Sequence, residues 1–248
     1  MADSDWRQQT YLVRCEWGPV GAARVAGDGA VVVVDVLSFS TSVSVLVERG
    51  TAVVPAPWRD GRAASLARDH DADLAVGRRE VTDASPWSLS PAALRRAPAT
   101  PRLVLPSPNG SAIAAASTGV VVAACLRNAT AVGRWLRSQG YGADRAVSVI
   151  AAGERWPDGS LRPALEDLLG AGAVIAALSA VSLSPEAAAA AALYDAMTPA
   201  SVADAVRACA SGQELAASGF GEDVDIAVEI DQSGVVPVLL DGIFRQAR

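Results

Sequence analysis

Residues 31–34 are four consecutive valines, and the next residue is Asp35. A β-branched run without polar alternation fits a strand covered on both faces, the situation of a parallel sheet between helical layers. Similar short apolar runs bounded by turn residues recur, and strands are expected at 11–16, 31–36, 52–55, 102–105, 119–124, 146–151, 225–230 and 235–240. Helical spacing fits 40–49, 60–70, 111–117, 129–139, 164–181, 185–196 and 199–211. Ser184 before Pro185 and Thr198 before Pro199 read as N-caps, and Gly212 as a stop after the last helix. The alternation predicts an α/β fold, a three-layer α/β/α sandwich with a mostly parallel sheet and antiparallel edge strands, Pro237 marking the last strand as an edge. Residues 77–101 carry four prolines and little periodicity, and so predict a long loop over the top or side of the sheet. No repeat or linker divides the chain, so residues 1–248 are expected to form one domain.

Composition removes several kinds of chemistry. All 21 basic residues are arginine, which excludes a Schiff-base lysine, a Walker A lysine and a lysine base. The single histidine, His70, stands among charged neighbours, the setting of a solvated surface residue. Cys15, Cys125 and Cys209 lie far apart without a CxxC pair, which predicts buried thiols in a reducing, cytoplasmic setting. The formal charge is −6 and the arginines are scattered, so no nucleic-acid partner is expected and a small molecule is. Residues 168–185 just reach membrane-span length but are rich in Ala, Gly and Ser; a buried helix is expected there, and no membrane partner. The N-terminal stretch has neither the basic start nor the apolar core of a secretory signal. Homo-oligomerisation is left open. Carboxylates, hydroxyls, amides, arginines and a hard metal ion are what remain for function.

In an open parallel sheet, ligands bind beyond the carboxyl ends of the strands, where helix N-termini point inward. Asp35 and the hydroxyls of Ser38, Ser40 and Thr41 follow one strand; Ser107, Asn109, Gly110 and Ser111 follow another. Asn128 follows a third, and the fourth delivers Glu154 and then Glu166 and Asp167. Such a rim suits a phosphate with Mg²⁺, which takes one or two carboxylates together with water and substrate oxygens. Each residue also has a plainer reading. The hydroxyls fit caps, Asn109-Gly110 an ordinary turn, Glu166 and Asp167 a helix dipole, and Arg78-Arg79-Glu80 either a solvated cluster or an anion-facing part of the long loop. Asp35 is the hardest to explain that way, because burying an unpaired carboxylate is costly.

Read in order, these segments resemble the 2-phosphosulfolactate phosphatase family, a Mg²⁺-dependent group associated with coenzyme M biosynthesis. "VVVVDVLSFSTS" is similar to its Asp-Val-Leu segment, "VLPSPNGSAIA" to its Asn-Gly turn and "CLRNATAV" to its following Asn segment. "AAGERWPDGSLRPALEDLLGAGA" resembles its Leu-Glu-Asp series, and "EDVDIAVEIDQSGVVPVL" its closing elements. The resemblance implies site roles for Asp35, Asn109, Gly110, Glu166 and Asp167. There are departures: Ser38 stands where the family typically has arginine, Pro106, Ser107 and Pro108 replace its threonines, the loop before Leu165 is longer, and Ala164 replaces a serine.

Together these readings predict a Mg²⁺-dependent phosphatase acting on a phosphorylated small acid, with 2-phosphosulfolactate implied by the resemblance. Asp35, Glu154 and Asp167 are the expected catalytic residues, and Asp35, Glu166 and Asp167 the expected metal ligands. Ser38, Ser40, Thr41, Ser107, Asn109, Gly110, Ser111 and Asn128 are expected around the substrate. A non-catalytic anion-binding protein on the same fold is the alternative.

Overall fold

A computed structural model describes residues 5–247. Met1 to Ser4, the start of the N-terminal stretch read above, and Arg248 lie outside the described residues.

The strands are β1 (Val13–Trp17), β2 (Ala30–Val34), β3 (Ala52–Ala56), β4 (Asp73–Leu74), β5 (Arg102–Pro106), β6 (Val120–Ala124), β7 (Val147–Ala151), β8 (Glu154–Arg155), β9 (Leu161–Arg162), β10 (Pro237–Leu240) and β11 (Ile243–Gln246). The helices are α1 (Gly18–Val25), α2 (Phe39–Glu48), α3 (Gly61–Asp69), α4 (Pro91–Arg96), α5 (Gly110–Ala116), α6 (Ala129–Ser138), α7 (Leu165–Leu178), α8 (Pro185–Asp195), α9 (Pro199–Ala208), α10 (Ala210–Ala217) and α11 (Gly221–Ala227). Nine strands form one sheet in the order β1-β7-β2-β6-β10-β11-β3-β5-β4, and β8 and β9 make a separate hairpin.

The α/β sandwich is as expected, and the valine run explains its centre. All five residues of β2 are buried. Val31 and Val33 pack on one face with α2 residues, while Ala30, Val32 and Val34 pack on the other with α6 and α7. The cluster around α2 also takes Val53, Leu103, Leu105 and Phe244 from β3, β5 and β11. One helix therefore packs against both halves of the sheet, and α3 covers the outer face of the β3–β5 half.

The antiparallel pair is not at an edge. β10 lies between β6 and β11, pairing antiparallel with both, and β11 pairs antiparallel with β3. Pro237 is tolerated there because it is the first residue of its strand, where a missing N–H costs least. The segment 225–230 is not a strand: α11 runs to Ala227, burying Val224 and Ala227 at helical spacing behind Glu222 and Asp223 in its first turn. Gly212 lies inside α10, because Cys209 ends one helix and caps the next. The long loop holds α4, whose N-cap Ser90 accepts from the Ala93 N–H ahead of Pro91. That is the same Ser-Pro or Thr-Pro signature that marks α8 and α9. Among the described residues, no helix is long and apolar enough to cross a membrane.

Candidate active site

Where β2 ends, the chain turns so that Asp35 lies beneath the first turn of α2. Asp35 is buried, and its two oxygens accept from two distant parts of the chain: Oδ1 from the Phe39 N–H at 2.9 Å, Oδ2 from the Gly110 N–H at 2.9 Å. The buried carboxylate thus finds its partners in the amino ends of α2 and α5, where amides lack helical acceptors. Gly110 has to be glycine: a Cβ there would lie 2.4 Å from Phe39 Cδ1 and 2.8 Å from Asp35 Oδ2.

Asp167 ties the neighbouring loop in the same manner. Its Oδ1 accepts from the Val36 N–H at 2.7 Å and its Oδ2 from the Gly153 N–H at 2.8 Å, which clamps the end of β2 to the end of β7. Glu166, one residue earlier on α7, accepts instead from the Cys209 thiol at 3.2 Å. Glu154, at the start of the β8–β9 hairpin, accepts from Asn109 Nδ2 at 3.0 Å.

Asp35, Ser38, Ser107, Asn109 and Glu154 line one cavity of about 190 Å³ together with Arg59, Arg78 and Glu214. Several expected residues face elsewhere, each because a backbone group claims it. The Ser40 hydroxyl donates to Val33 O, that of Thr41 to Val36 O, and that of Ser111 to Leu105 O. Asn128 accepts from the Cys125 N–H and donates to Val235 O, so it fastens β6 to the segment before β10. Gly110 is an anchor of Asp35, while Glu166 and Asp167 are not among the lining side chains.

Strand-end reasoning did not select Arg59, Arg78 and Glu214, which also line the cavity, or Asp223, which stands behind Arg78. Arg78 reaches in from the long loop, donating from Nη2 to Ser38 Oγ at 2.8 Å and from Nε to Asp223 Oδ2 at 3.0 Å. Of the Arg78 cluster, Arg78 turns toward this cavity, while Arg79 and Glu80 are exposed and do not line it. The charge missing at position 38 is thus present in space, brought by a residue 40 positions away. Asp223, from α11, holds that arginine while also accepting from Ser90 Oγ at 2.5 Å and the Ala92 N–H at 3.1 Å. Only its acidic neighbours in "GEDVD" hinted at a role, and they suit a helix N-terminus equally well.

The electrostatics of this region resist negative charge. Burial, reinforced by Glu166, pushes the Asp35 carboxyl above the usual carboxylate range against the pull of its two amide donors and Arg78. Burial, then Asp35 and Glu166, raises Asp167 well above it. Glu154 is pushed up to about 7 by burial and by Asp35, with Asn109 acting in the opposite direction. Burial and Glu166 push the Cys209 thiol up to about 12, which keeps its proton available for Glu166.

Clustered carboxylates that repel one another are relieved by a cation, and their oxygens are the donors Mg²⁺ prefers. Among the described residues no group of three His, Cys, Asp or Glu side chains converges on one metal position. A hard cation here would take one or two carboxylates and fill its shell with water or substrate oxygens. Asp35 and Glu154, the two acids expected here that line the cavity, fit that demand.

A family model described as 2-phosphosulpholactate phosphatase matches residues 21–242. No curated protein matches the chain.

Proposed function

The chain belongs to the 2-phosphosulpholactate phosphatase family, and from that premise we propose that it is a cytoplasmic, Mg²⁺-dependent phosphatase hydrolysing the phosphate monoester of a small acidic metabolite. The family's name supports a phosphatase acting on a phosphorylated small molecule, with 2-phosphosulfolactate, giving sulfolactate and phosphate, as the first substrate to test. The observation that carries the reading is the convergence of Asp35, Ser38, Arg78, Ser107, Asn109 and Glu154 on one cavity from separate segments. The three cysteines are unpaired and buried, which suits a reducing compartment.

In this reading Asp35 and Glu154 would hold Mg²⁺. When bound, the ion polarises the phosphoryl group and offsets the charge that develops on its oxygens. Arg78 adds a fixed positive charge, and the Ser38 and Ser107 hydroxyls and the Asn109 amide supply hydrogen-bonding groups around the anion. Water attacks phosphorus, the P–O bond to the substrate's carbon-bound oxygen breaks, and that oxygen takes a proton as the free alcohol. Glu154, the cavity carboxylate that accepts from Asn109, would take the water's proton. The amides that grip both oxygens of Asp35 set its orientation before substrate arrives.

Phosphate release from 2-phosphosulfolactate and other phosphorylated acids, with and without Mg²⁺, tests the proposal. Release that needs Mg²⁺ and is lost in Asp35→Asn is expected. A melting temperature that rises with ligand while no phosphate appears would instead identify an anion-binding protein.

A further inference from the structure

The catalytic cavity continues into a second, larger one. The two share Arg59, Arg78, Leu89, Glu214 and Leu215 as lining residues, and the second has a volume of about 520 Å³ against about 190 Å³ for the first. A volume of this size is in the range of roughly 300–1,000 Å³ that encloses substantial organic ligands, whereas the first suits a phosphoryl group and little else. Much of the larger chamber's wall is apolar, with Ala63, Leu74, Val76 and Phe220 among its residues.

Its charges are unevenly committed. Asp60 is bound by Arg62, Glu80 accepts from the Gly77 N–H, and Arg78 is held by Asp223. Arg59 and Arg79, also on the wall, make no hydrogen bond or ion pair among the described residues. Of the acids on that wall, Glu214 is the one without such a partner among the described residues. Two uncommitted guanidiniums beside an apolar surface suit a ligand with an apolar body and a negatively charged end.

Resting on the phosphatase reading above and refining its substrate class, we infer that the alcohol released is an acid with a longer skeleton than three carbons. Its apolar segment occupies the chamber between α3, the long loop and α10, and its distal anion lies on Arg79, while Arg59 stands where the two cavities join and the phosphoryl group sits at Asp35. The hydrolysis itself is unchanged: water adds to phosphorus and the ester oxygen leaves as the alcohol.

The test compares O-phospholactate, O-phospho-2-hydroxyoctanoate and O-phospho-2-hydroxyoctanedioate as substrates, and the corresponding carbon-linked phosphonates, which cannot be hydrolysed, by calorimetry. The eight-carbon diacid is expected to exceed O-phospholactate in kcat/KM by at least about tenfold, as burial of added methylenes implies, with the monoacid between them. Ser218→Trp places a bulky side chain in the chamber from an exposed wall position and is expected to collapse that ratio. Arg79→Ala is expected to abolish the diacid's advantage over the monoacid. Equal kcat/KM for the short and long esters, or a ratio indifferent to Ser218→Trp, overturns the chamber assignment while leaving the phosphatase reading standing. Tight binding of the long phosphonate without phosphate release from any ester leaves the chamber standing and removes the phosphatase. Absence of both removes both.

Discussion

Asp35 Oδ2 and the Gly110 N–H are 2.9 Å apart although 75 positions separate the two residues, and this bond joins the end of β2 to the amino end of α5. Five steps of the sheet order lie between β2 and β5, and the antiparallel pair reverses strand direction between them.

That closeness makes Gly110 a sharp test. Gly110→Ala drives a methyl into Phe39, which is fully buried and packs edge-on against Phe244 at 6.2 Å between ring centroids. We expect a loss of about 1–3 kcal/mol in urea denaturation together with a fall in phosphate release. A midpoint and a rate both equal to wild type would show that the site accommodates a Cβ at this position.

Asp35→Asn keeps one acceptor and turns an amide NH₂ toward a backbone N–H, so either the Phe39 or the Gly110 donor loses its partner. Stability should drop by about 1–3 kcal/mol, and phosphate release by at least about 10²-fold. Circular dichroism alongside the rate separates the two effects; a folded variant with near-normal turnover removes Asp35 from the chemistry.

Asp167 and Asp35 should part company in metal titrations. Both aspartates accept from two backbone amides, but Asp35 lines the cavity and Asp167 does not. Asp167→Asn is expected to lower the melting temperature yet retain the Mg²⁺-induced thermal shift, whereas Asp35→Asn and Glu154→Gln diminish that shift. Loss of the shift in Asp167→Asn would return Asp167 to the ligand set that its sequence position implied.

Glu154 ties stability to pH. Its carboxyl is raised from an ordinary value of 4.5 to about 7, so between those two values the native state keeps a proton that the unfolded chain releases. The native state then binds more protons, and stability declines as pH rises across that window. In metal-free protein the melting temperature should therefore fall from pH 5 to pH 7.5. Glu154→Gln should reduce that slope, and equal slopes in the two proteins would contradict the assignment.

Arg78→Ala removes a half-buried positive charge from the cavity and leaves Asp223, 1 % exposed, with only Ser90 and Ala92 as donors. KM for a phosphorylated acid should rise by about tenfold or more, the cost of losing a charge-assisted contact. Introducing Ser38→Arg into that variant puts the guanidinium where the family's own pattern has it, and KM should recover. Failure of the double variant to recover, with its fold intact, would mean that Arg78 serves Asp223 and not the substrate.

Much of this molecule was legible locally. Valine runs and turn residues locate β2, β3, β5, β6 and β7 within a residue or two, because a strand buried on both faces needs uninterrupted apolar residues wherever it lies in the sheet. The same logic set Asp35 and Asn109 at strand ends. Local pattern misled at 225–230, where Ile226, Val228 and Ile230 alternate as in a strand but Ile226, like Val224 and Ala227, is a buried residue of α11, which ends at Ala227.

Side-chain destinations were decided by the tertiary structure. Ser40, Thr41, Ser111 and Asn128 lie in the expected segments, yet carbonyls or amides left unpaired by the turning chain capture them. Adjacent Glu166 and Asp167 were divided between a thiol and two amides by the turn of a helix. The charge absent at Ser38 returned through Arg78, held by an aspartate 145 positions away. Amino-acid order by itself determined which segments are buried and which residue types can do chemistry, since burial and helical or strand period act over neighbours. Strand order, the internal place of β10 and β11, and the partner of each polar group depend on pairings across the whole chain, where hydrogen-bond donors and acceptors compete in three dimensions and only folding chooses among them.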